Sequence, residues 1–219
     1  MADHAQDSLL REIDEELRQE QYSKLWKRYG KYIIAVAVIL VGGVAGYQGW
    51  KAWDINSRME QSDRFEDALT LKRGGDLEAA RNAFSELAGD AGAGYATLAR
   101  FQEAAILEQT GDRQGAIGAY RELSSEGSIS QYYRDLATVL GAFLEVDEAD
   151  PAELTARLAP LAMAGQPWRF SAQEITGLLA QKAGDTAKAR EIFEALSSDP
   201  SAPSGVRGRA AEMLAILGQ

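Results

Sequence analysis

The residue types that most often carry catalysis are scarce in this chain. It contains no cysteine and a single histidine, His4, near its N-terminus. Thiolates and imidazoles supply many of the nucleophiles, general bases and transition-metal ligands that work at neutral pH. No metal-ligand cluster, nucleophile motif or glycine-rich phosphate loop appears at the spacing such sites require. The sequence therefore predicts a protein that is not an enzyme, with no catalytic, metal or cofactor site.

Adjacent carboxylates are the remaining candidates for acid-base chemistry. They occur as Asp14 with Glu15 and as Asp147 with Glu148. Both pairs are better explained as solvated helix faces and caps than as a general acid and base. Among larger side chains, Trp168 and Arg169 form a possible recognition spot for a partner protein. Packing of Trp168 and Phe170 at the start of a helix explains the same residues, and we favour it.

Three copies of one spaced residue set indicate the elements that position these side chains. Each copy has a Gly-Asp pair, with alanine five, an aromatic residue nine and leucine twelve residues after the glycine. Glycine can end one helix in a left-handed conformation, and aspartate can accept N–H groups at the start of the next. The following three residues share one helix face. The copies are Gly75, Asp76, Ala80, Phe84 and Leu87; Gly111, Asp112, Ala116, Tyr120 and Leu123; and Gly184, Asp185, Ala189, Phe193 and Leu196.

The spacing of the copies predicts an all-α array of about four helical hairpins. Gly75 and Gly111 are 36 residues apart, whereas Gly111 and Gly184 are 73 apart, which leaves room for one degenerate copy. Asp150 and Pro151 suit the joint of that copy. Leucines in that copy repeat the four-residue and three-residue steps of the other copies. A C-terminal helix from Val206 to Leu217 is predicted to cap the array. Connections are predicted at 88–94, 124–130 and 197–205, which are rich in glycine, serine and proline.

At these positions the chain resembles the tetratricopeptide repeat family, whose repeat is ~34 residues long. The resemblance implies paired antiparallel helices that stack into a surface for binding proteins. It also rests on small residues seven positions before each glycine, namely Ala68, Ala104 and Gly177. The early tryptophan and the first-helix tyrosine of that family are absent at their expected offsets, and its closing proline has only approximate counterparts in Pro200 and Pro203.

An uncharged segment precedes the repeats. Residues 32–50 carry no charge, and as a helix they would be about 28 Å long, close to the ~30 Å hydrocarbon core of a bilayer. Tyrosine and tryptophan lie near both ends, as in transmembrane helices. We predict a single transmembrane helix. A buried core helix and a cleaved signal peptide are the alternatives.

Basic residues around this segment predict its orientation. Lys24, Lys27, Arg28 and Lys31 precede it, and only Lys51 and Arg58 follow closely. By the positive-inside rule, residues 1–31 are cytoplasmic and residues 51–219 lie across the membrane. The inverted topology, with the repeats in the cytosol as an adaptor, is the alternative.

Two further segments suggest partners. Gly42 and Gly46 form a small-xxx-small pair that suits helix pairing, either with a second copy or with another protein. Residues 8–21 predict a short amphipathic helix with Leu10, Ile13 and Leu17 on one face, which would dock a partner helix or remain a frayed tail.

The charge distribution restricts the partners of the repeats. Residues 1–53 contain seven acidic and seven basic residues, so the net charge of −10 falls on residues 54–219. Such a surface disfavours nucleic acid and anionic lipid. We therefore expect protein partners.

The whole layout resembles the ancillary subunit family of the SecYEG translocon. The residues concerned are the acidic helix Asp14-Glu15-Glu16-Leu17-Arg18, the entry Trp26-Lys27-Arg28-Tyr29-Gly30-Lys31 and the later Pro167-Trp168-Arg169. The resemblance implies a bacterial inner-membrane protein with a periplasmic repeat domain, associated with the translocon channel and with periplasmic chaperones. An anchored scaffold for cell division, outer-membrane assembly or envelope stress signalling is the alternative.

Overall fold

The computed structural model describes the backbone of residues 2–218 and the side chains of residues 23–218. Within that range the chain is helical and has no strand, which confirms the predicted all-α fold. It divides into two compact units, Met1–Met59 and Glu60–Gln219. The described helices are α1 (Ala2–Arg73), α2 (Leu77–Asp90), α3 (Ala93–Gln109), α4 (Arg113–Ser125), α5 (Gln131–Glu145), α6 (Pro151–Leu158), α7 (Arg169–Lys182), α8 (Thr186–Ser198) and α9 (Ser204–Leu217).

The first unit consists of the N-terminal part of α1. From Ser23 this helix is long and apolar enough to cross a membrane, and none of its most apolar window is buried in the protein. That exposure is inconsistent with a buried core helix, whereas the signal-peptide alternative stays open. Residues 8–21 belong to the same continuous helix rather than to a separate short one. The side chains of Leu10, Ile13 and Leu17 lie outside the described residues.

The residues predicted to set orientation and helix pairing are exposed on α1. The guanidinium of Arg28 lies 5.7 Å from the ring centroid of Tyr29. The ammonium of Lys31 lies 5.1 Å from that of Tyr32. A Cβ added at Gly42 or Gly46 would meet no atom within 4 Å, so this face of α1 is open. Orientation and helix pairing stay predictions.

Three joints in the second unit share one geometry. Gly75, Gly111 and Gly184 have φ values of +87°, +85° and +82°, a region that side-chain-bearing residues rarely adopt. The N–H of the following aspartate bonds to a carbonyl in the last turn of the preceding helix, and its carboxylate caps the next helix. The remaining joint, which lies in the third hairpin, lacks the glycine. There Asp150 accepts the N–H groups of Ala152 and Glu153, and Pro151 occupies the first turn.

The hairpins pair through small residues. They are formed by residues 60–73 with α2, by α3 with α4, by α5 with α6 and by α7 with α8, and α9 packs on the last. Ala80, Ala116 and Ala189 are fully buried, as are the aromatic residues and leucines of the repeated sets. At Gly177 the two helices approach closely, since an added Cβ would lie 2.8 Å from the ring of Phe193.

All three predicted connections are shorter in the structure, where they span 91–92, 126–130 and 199–203. The prediction at 88–94 is wrong for most of its length, because α2 continues to Asp90 and α3 begins at Ala93. Likewise α4 includes Ser124 and Ser125, and α8 includes Ser197 and Ser198. A glycine in a helix costs only about 1 kcal/mol relative to alanine, and the packing of Leu87, Ala88 and Ala91 in the core outweighs that cost at the exposed Gly89.

Replacing Ala116 by leucine tests the pairing of α3 with α4. Because Ala116 has no exposed surface, the larger side chain should force the helices apart and lower the free energy of unfolding by about 1 to 2 kcal/mol. Urea denaturation of the full chain in nonionic micelles, followed by circular dichroism, measures the change. Gly118→Ala is the control, since its new Cβ enters open space on the same helix. Equal stability of Ala116→Leu and the wild type would contradict this interpretation.

Candidate protein-binding surface

A phenylalanine ten residues before the first and second joints links neighbouring hairpins. The ring centroid of Phe65 lies 5.3 Å from that of Phe84 in its own hairpin and 5.8 Å from that of Tyr95 in the next. Phe101 makes the same bridge, at 6.2 Å to Tyr120 and 6.1 Å to Tyr133. The sequence analysis missed both phenylalanines, although a shift of 36 residues superimposes them.

The same position in the fourth hairpin carries a buried acid, Glu174. Its carboxylate accepts two hydrogen bonds from Arg209 of α9, at 2.5 Å from Nε and 2.7 Å from a terminal nitrogen. The side chain of Glu174 is 5% exposed and that of Arg209 is 55% exposed. The hydrogen bonds from Arg209 to Glu174 raise the pKa of the guanidinium. An ion pair therefore replaces the aromatic bridge where the array ends.

An arginine–acid pair closes the open end of the first two hairpins. Arg64 of α1 pairs with Asp90 at the end of α2, at 3.1 Å. Arg100 pairs with Glu126 just after α4, with the same spacing of 26 residues. Hydrogen bonds from Ser128 and Arg100 lower the pKa of Glu126. The sequence analysis also missed these residues, although a shift of 36 residues superimposes Arg64 on Arg100 and Asp90 on Glu126.

Trp168 and Arg169 are both engaged within the chain. Trp168 is half-buried, and its Nε1 donates to the carbonyl of Tyr132 at 3.1 Å. The centroids of the two rings lie 4.9 Å apart, with their planes tilted by 44°. Arg169 contacts Asp199 and Ser201 and lies over the ring of Phe170. These contacts join the start of α7 to α5 of the third hairpin and to the segment that follows α8. A partner-binding role for Trp168 and Arg169 stays a prediction.

The third hairpin contains a cavity of about 450 Å³. Helix α6 has eight residues, whereas α2 has 14 and α4 has 13, so it is shorter by about 8 Å. The cavity lies between α5 and the chain that follows α6. Its polar wall includes Asp135, which is 9% exposed and accepts a hydrogen bond from Gln131 at 2.6 Å. We call this cavity the third-hairpin slot; Thr138, Arg157, Pro160, Leu161, Met163 and Gln166 complete its lining.

A second, smaller cavity of about 200 Å³ is lined by charged residues of α2, α3 and α4, among them Arg81, Arg100, Glu103 and Glu122. Burial raises the pKa of Glu103, and a hydrogen bond from Ser85 together with the two arginines partly offsets that effect. The carboxylate of Glu103 therefore sits in a less favourable environment in the folded protein than in the unfolded chain.

Glu103 should make folding stability depend on pH. Its folded pKa exceeds the unfolded value of 4.5, so the folded state binds the proton more tightly, and this contribution is lost as pH rises through the folded pKa. We expect Glu103→Gln to raise the melting temperature at pH 7 relative to the wild type and to flatten its dependence on pH just above 4.5. Melting curves of the full chain at closely spaced pH values test this, with the exposed Glu153→Gln as control. A lower melting temperature at pH 7 would show that Glu103 stabilises the fold as a carboxylate.

Comparison with known proteins agrees with this architecture. Residues 23–205 match the model of the tetratricopeptide repeat-like domain family. Comparisons with curated proteins and with solved structures give no significant match. Within residues 23–218, no group of three His, Cys, Asp or Glu side chains is placed to hold a metal ion.

Proposed function

Because this chain belongs to the tetratricopeptide repeat-like domain family, we propose that it is a membrane-anchored scaffold that binds other proteins. The observation that carries the proposal is a four-hairpin array on the same chain as a helix whose apolar window is unburied. Repeat arrays of this kind bind partners over an extended surface. An apolar helix that no part of the protein covers requires another apolar environment, which a bilayer provides.

The finer proposal concerns location and partners. Residues 1–31 face the cytoplasm, residues 32–50 span the bacterial inner membrane, and residues 51–219 form the periplasmic domain. The four basic residues before the span support that orientation. The partners are the Sec translocon channel and periplasmic chaperones, so that the protein links export to folding. Support for these partners comes from the resemblance of the acidic N-terminal helix and of the Trp26 to Lys31 entry to the ancillary translocon subunits.

Crosslinking in intact membranes tests the proposed partners. A tagged full-length protein is crosslinked in cells, purified in detergent and analysed by mass spectrometry. We expect the translocon channel and at least one periplasmic chaperone among the crosslinked proteins. Recovery of cell-division, outer-membrane assembly or stress-signalling components in their place would favour the alternative scaffold, and recovery of no protein partner would contradict the scaffold proposal.

The orientation has its own test. Alkaline phosphatase fused after Gln219 is active only when exported, so the proposed topology predicts an active fusion. A stable but inactive fusion would place the repeats in the cytosol. Replacement of Lys24, Lys27, Arg28 and Lys31 by glutamine should reduce the activity, because it removes the charge difference across the span.

A further inference from the structure

The third hairpin lacks the pair that closes the first and second hairpins. Eleven residues before the joint, the first and second hairpins carry Arg64 and Arg100, and the third carries Thr138. The acidic partner at the end of the second helix, Asp90 or Glu126, corresponds to Ala164. Both members of the ion pair are therefore missing where α6 stops short. The third-hairpin slot occupies that place.

A carboxylate is present in the slot even though the arginine is absent. Asp135 lies one turn before Thr138 on the same face of α5, and its side chain is largely buried. Gln131 donates to one of its oxygens. Among the described residues no lysine or arginine forms an ion pair with Asp135, whereas buried carboxylates are usually paired.

The cations close to the slot are held by other groups. Arg157 lines the slot and pairs with Glu145, which also lies 3.7 Å from Arg121.

Arg134 donates to the carbonyl of Ile129 and to the side-chain oxygen of Gln131. The amide of Gln131 is thus oriented by Arg134 on one side and bonded to Asp135 on the other.

One exposed apolar side chain lines the slot, and a second is adjacent in sequence to a slot residue. Met163 lines the slot and is 56% exposed, and Tyr132, next to Gln131, is 49% exposed. They are two of the four large hydrophobic residues exposed among described residues 60–218, the others being Leu71 and Ile216. A volume of about 450 Å³ lies within the ~300 to 1,000 Å³ range of sites that enclose a ligand group.

We propose that the third-hairpin slot binds an arginine side chain from an extended segment of a partner polypeptide. The partner's guanidinium takes the place that Arg64 and Arg100 fill in the first and second hairpins, and it donates to Asp135. Apolar residues next to that arginine in the partner segment contact Met163. Arginine is favoured over lysine because its planar fork donates two parallel hydrogen bonds to a carboxylate. The net charge of −10 on residues 54–219 attracts such a segment. This inference rests on the proposed scaffold function and names the chemistry of its partner.

Methionine methyl NMR on the full chain in nonionic micelles tests the proposal. The chain has four methionines, Met1, Met59, Met163 and Met213, so the spectrum is simple and three signals serve as internal controls. The probe is the peptide Gly-Ser-Gly-Leu-Arg-Leu-Gly-Ser-Gly. A matched peptide carries citrulline, an uncharged analogue of arginine. We expect the arginine peptide to shift the Met163 signal in a saturable way and the citrulline peptide to bind roughly tenfold more weakly or worse.

Variants identify the groups responsible. Asp135→Asn keeps the size of the side chain but removes its charge, and should weaken binding of the arginine peptide by roughly tenfold. Glu153→Gln makes the same change in net charge on the exposed face of α6 and should leave binding unchanged. Thr138→Arg supplies the arginine found in the first and second hairpins, and should abolish binding because it fills the slot from within. Melting curves confirm that each variant is folded.

Several results would overturn the proposal. These are equal binding of the arginine and citrulline peptides, unchanged binding to Asp135→Asn or Thr138→Arg, and shifts of Met59 or Met213 as large as those of Met163. Such results would leave the scaffold proposal intact if crosslinking still recovers partners. If the arginine peptide binds but no partner protein is crosslinked, the scaffold proposal is contradicted, whereas the proposed arginine site in the slot is supported.

Discussion

Replacing Phe193 by alanine is expected to lower the free energy of unfolding of the repeat array by about 3 to 5 kcal/mol. Phe193 is fully buried in the fourth hairpin, and its ring lies against the backbone of Gly177, where even a Cβ would not fit. Neither Gly177 nor Ala189 has a side chain long enough to fill the space that the ring leaves. The cavity therefore persists in the variant, and its cost adds to the lost burial of the ring.

Urea denaturation of the full chain in nonionic micelles measures this loss. Phe193→Leu retains most of the buried volume and should cost about 1 kcal/mol. Ile216→Ala on α9 is the exposed control, since 57% of Ile216 is accessible, and should change stability by less than about 0.5 kcal/mol. A Phe193→Ala variant no less stable than the Ile216→Ala control would show that the fourth hairpin does not pack as described.

Replacing Arg209 by alanine is expected to cost about 2 to 3 kcal/mol, because it leaves Glu174 buried without its partner. The value lies below that for a fully enclosed pair because Arg209 is 55% exposed, so water can approach the carboxylate. The double variant Glu174→Val with Arg209→Leu should recover most of the loss. Valine occupies the equivalent position in the third hairpin, as Val139, where it is buried.

The same denaturation experiment distinguishes a buried pair from a surface one. Lys188→Ala removes a lysine whose pair with Glu191 is half-exposed or more on both sides, and should cost no more than about 0.5 kcal/mol. If Arg209→Ala costs as little as Lys188→Ala, then Glu174 is hydrated and the end of the array is not closed by this ion pair. If the double variant is no more stable than Arg209→Ala, the carboxylate has a further role.

The predictions that hold best concern features decided by neighbouring residues. A Gly-Asp pair both ends a helix and caps the next, so Gly75 with Asp76 specifies its joint within two turns of chain. The joint of the third hairpin, at Asp150 and Pro151, was predictable because the repeat period left a gap of the right length. The connection at 88–94 was predicted too long because its three glycines favour loops locally, and packing of the helices on either side overcame that preference.

The two cavities and the long-range contacts within and between hairpins could not be predicted in this way. Phe65 with Tyr95, Arg64 with Asp90 and Glu174 with Arg209 are 30, 26 and 35 residues apart. Aligning the repeats would have shown that Arg64 and Arg100 are equivalent. It would not have shown which acid each arginine reaches, since that depends on where the second helix of the hairpin ends.

The sequence by itself determined a helical repeat array with joints at Gly75, Gly111, Asp150 and Gly184, preceded by an uncharged segment long enough to span a bilayer. These features follow from backbone conformation, capping and hydrophobic periodicity, which act within a few turns of the chain. Only the tertiary structure decided that α6 stops after Leu158 and that Asp135 faces a slot rather than an arginine of its own chain. The physical reason is that such a space is created by the relative length and packing of helices, and no single segment contains that information.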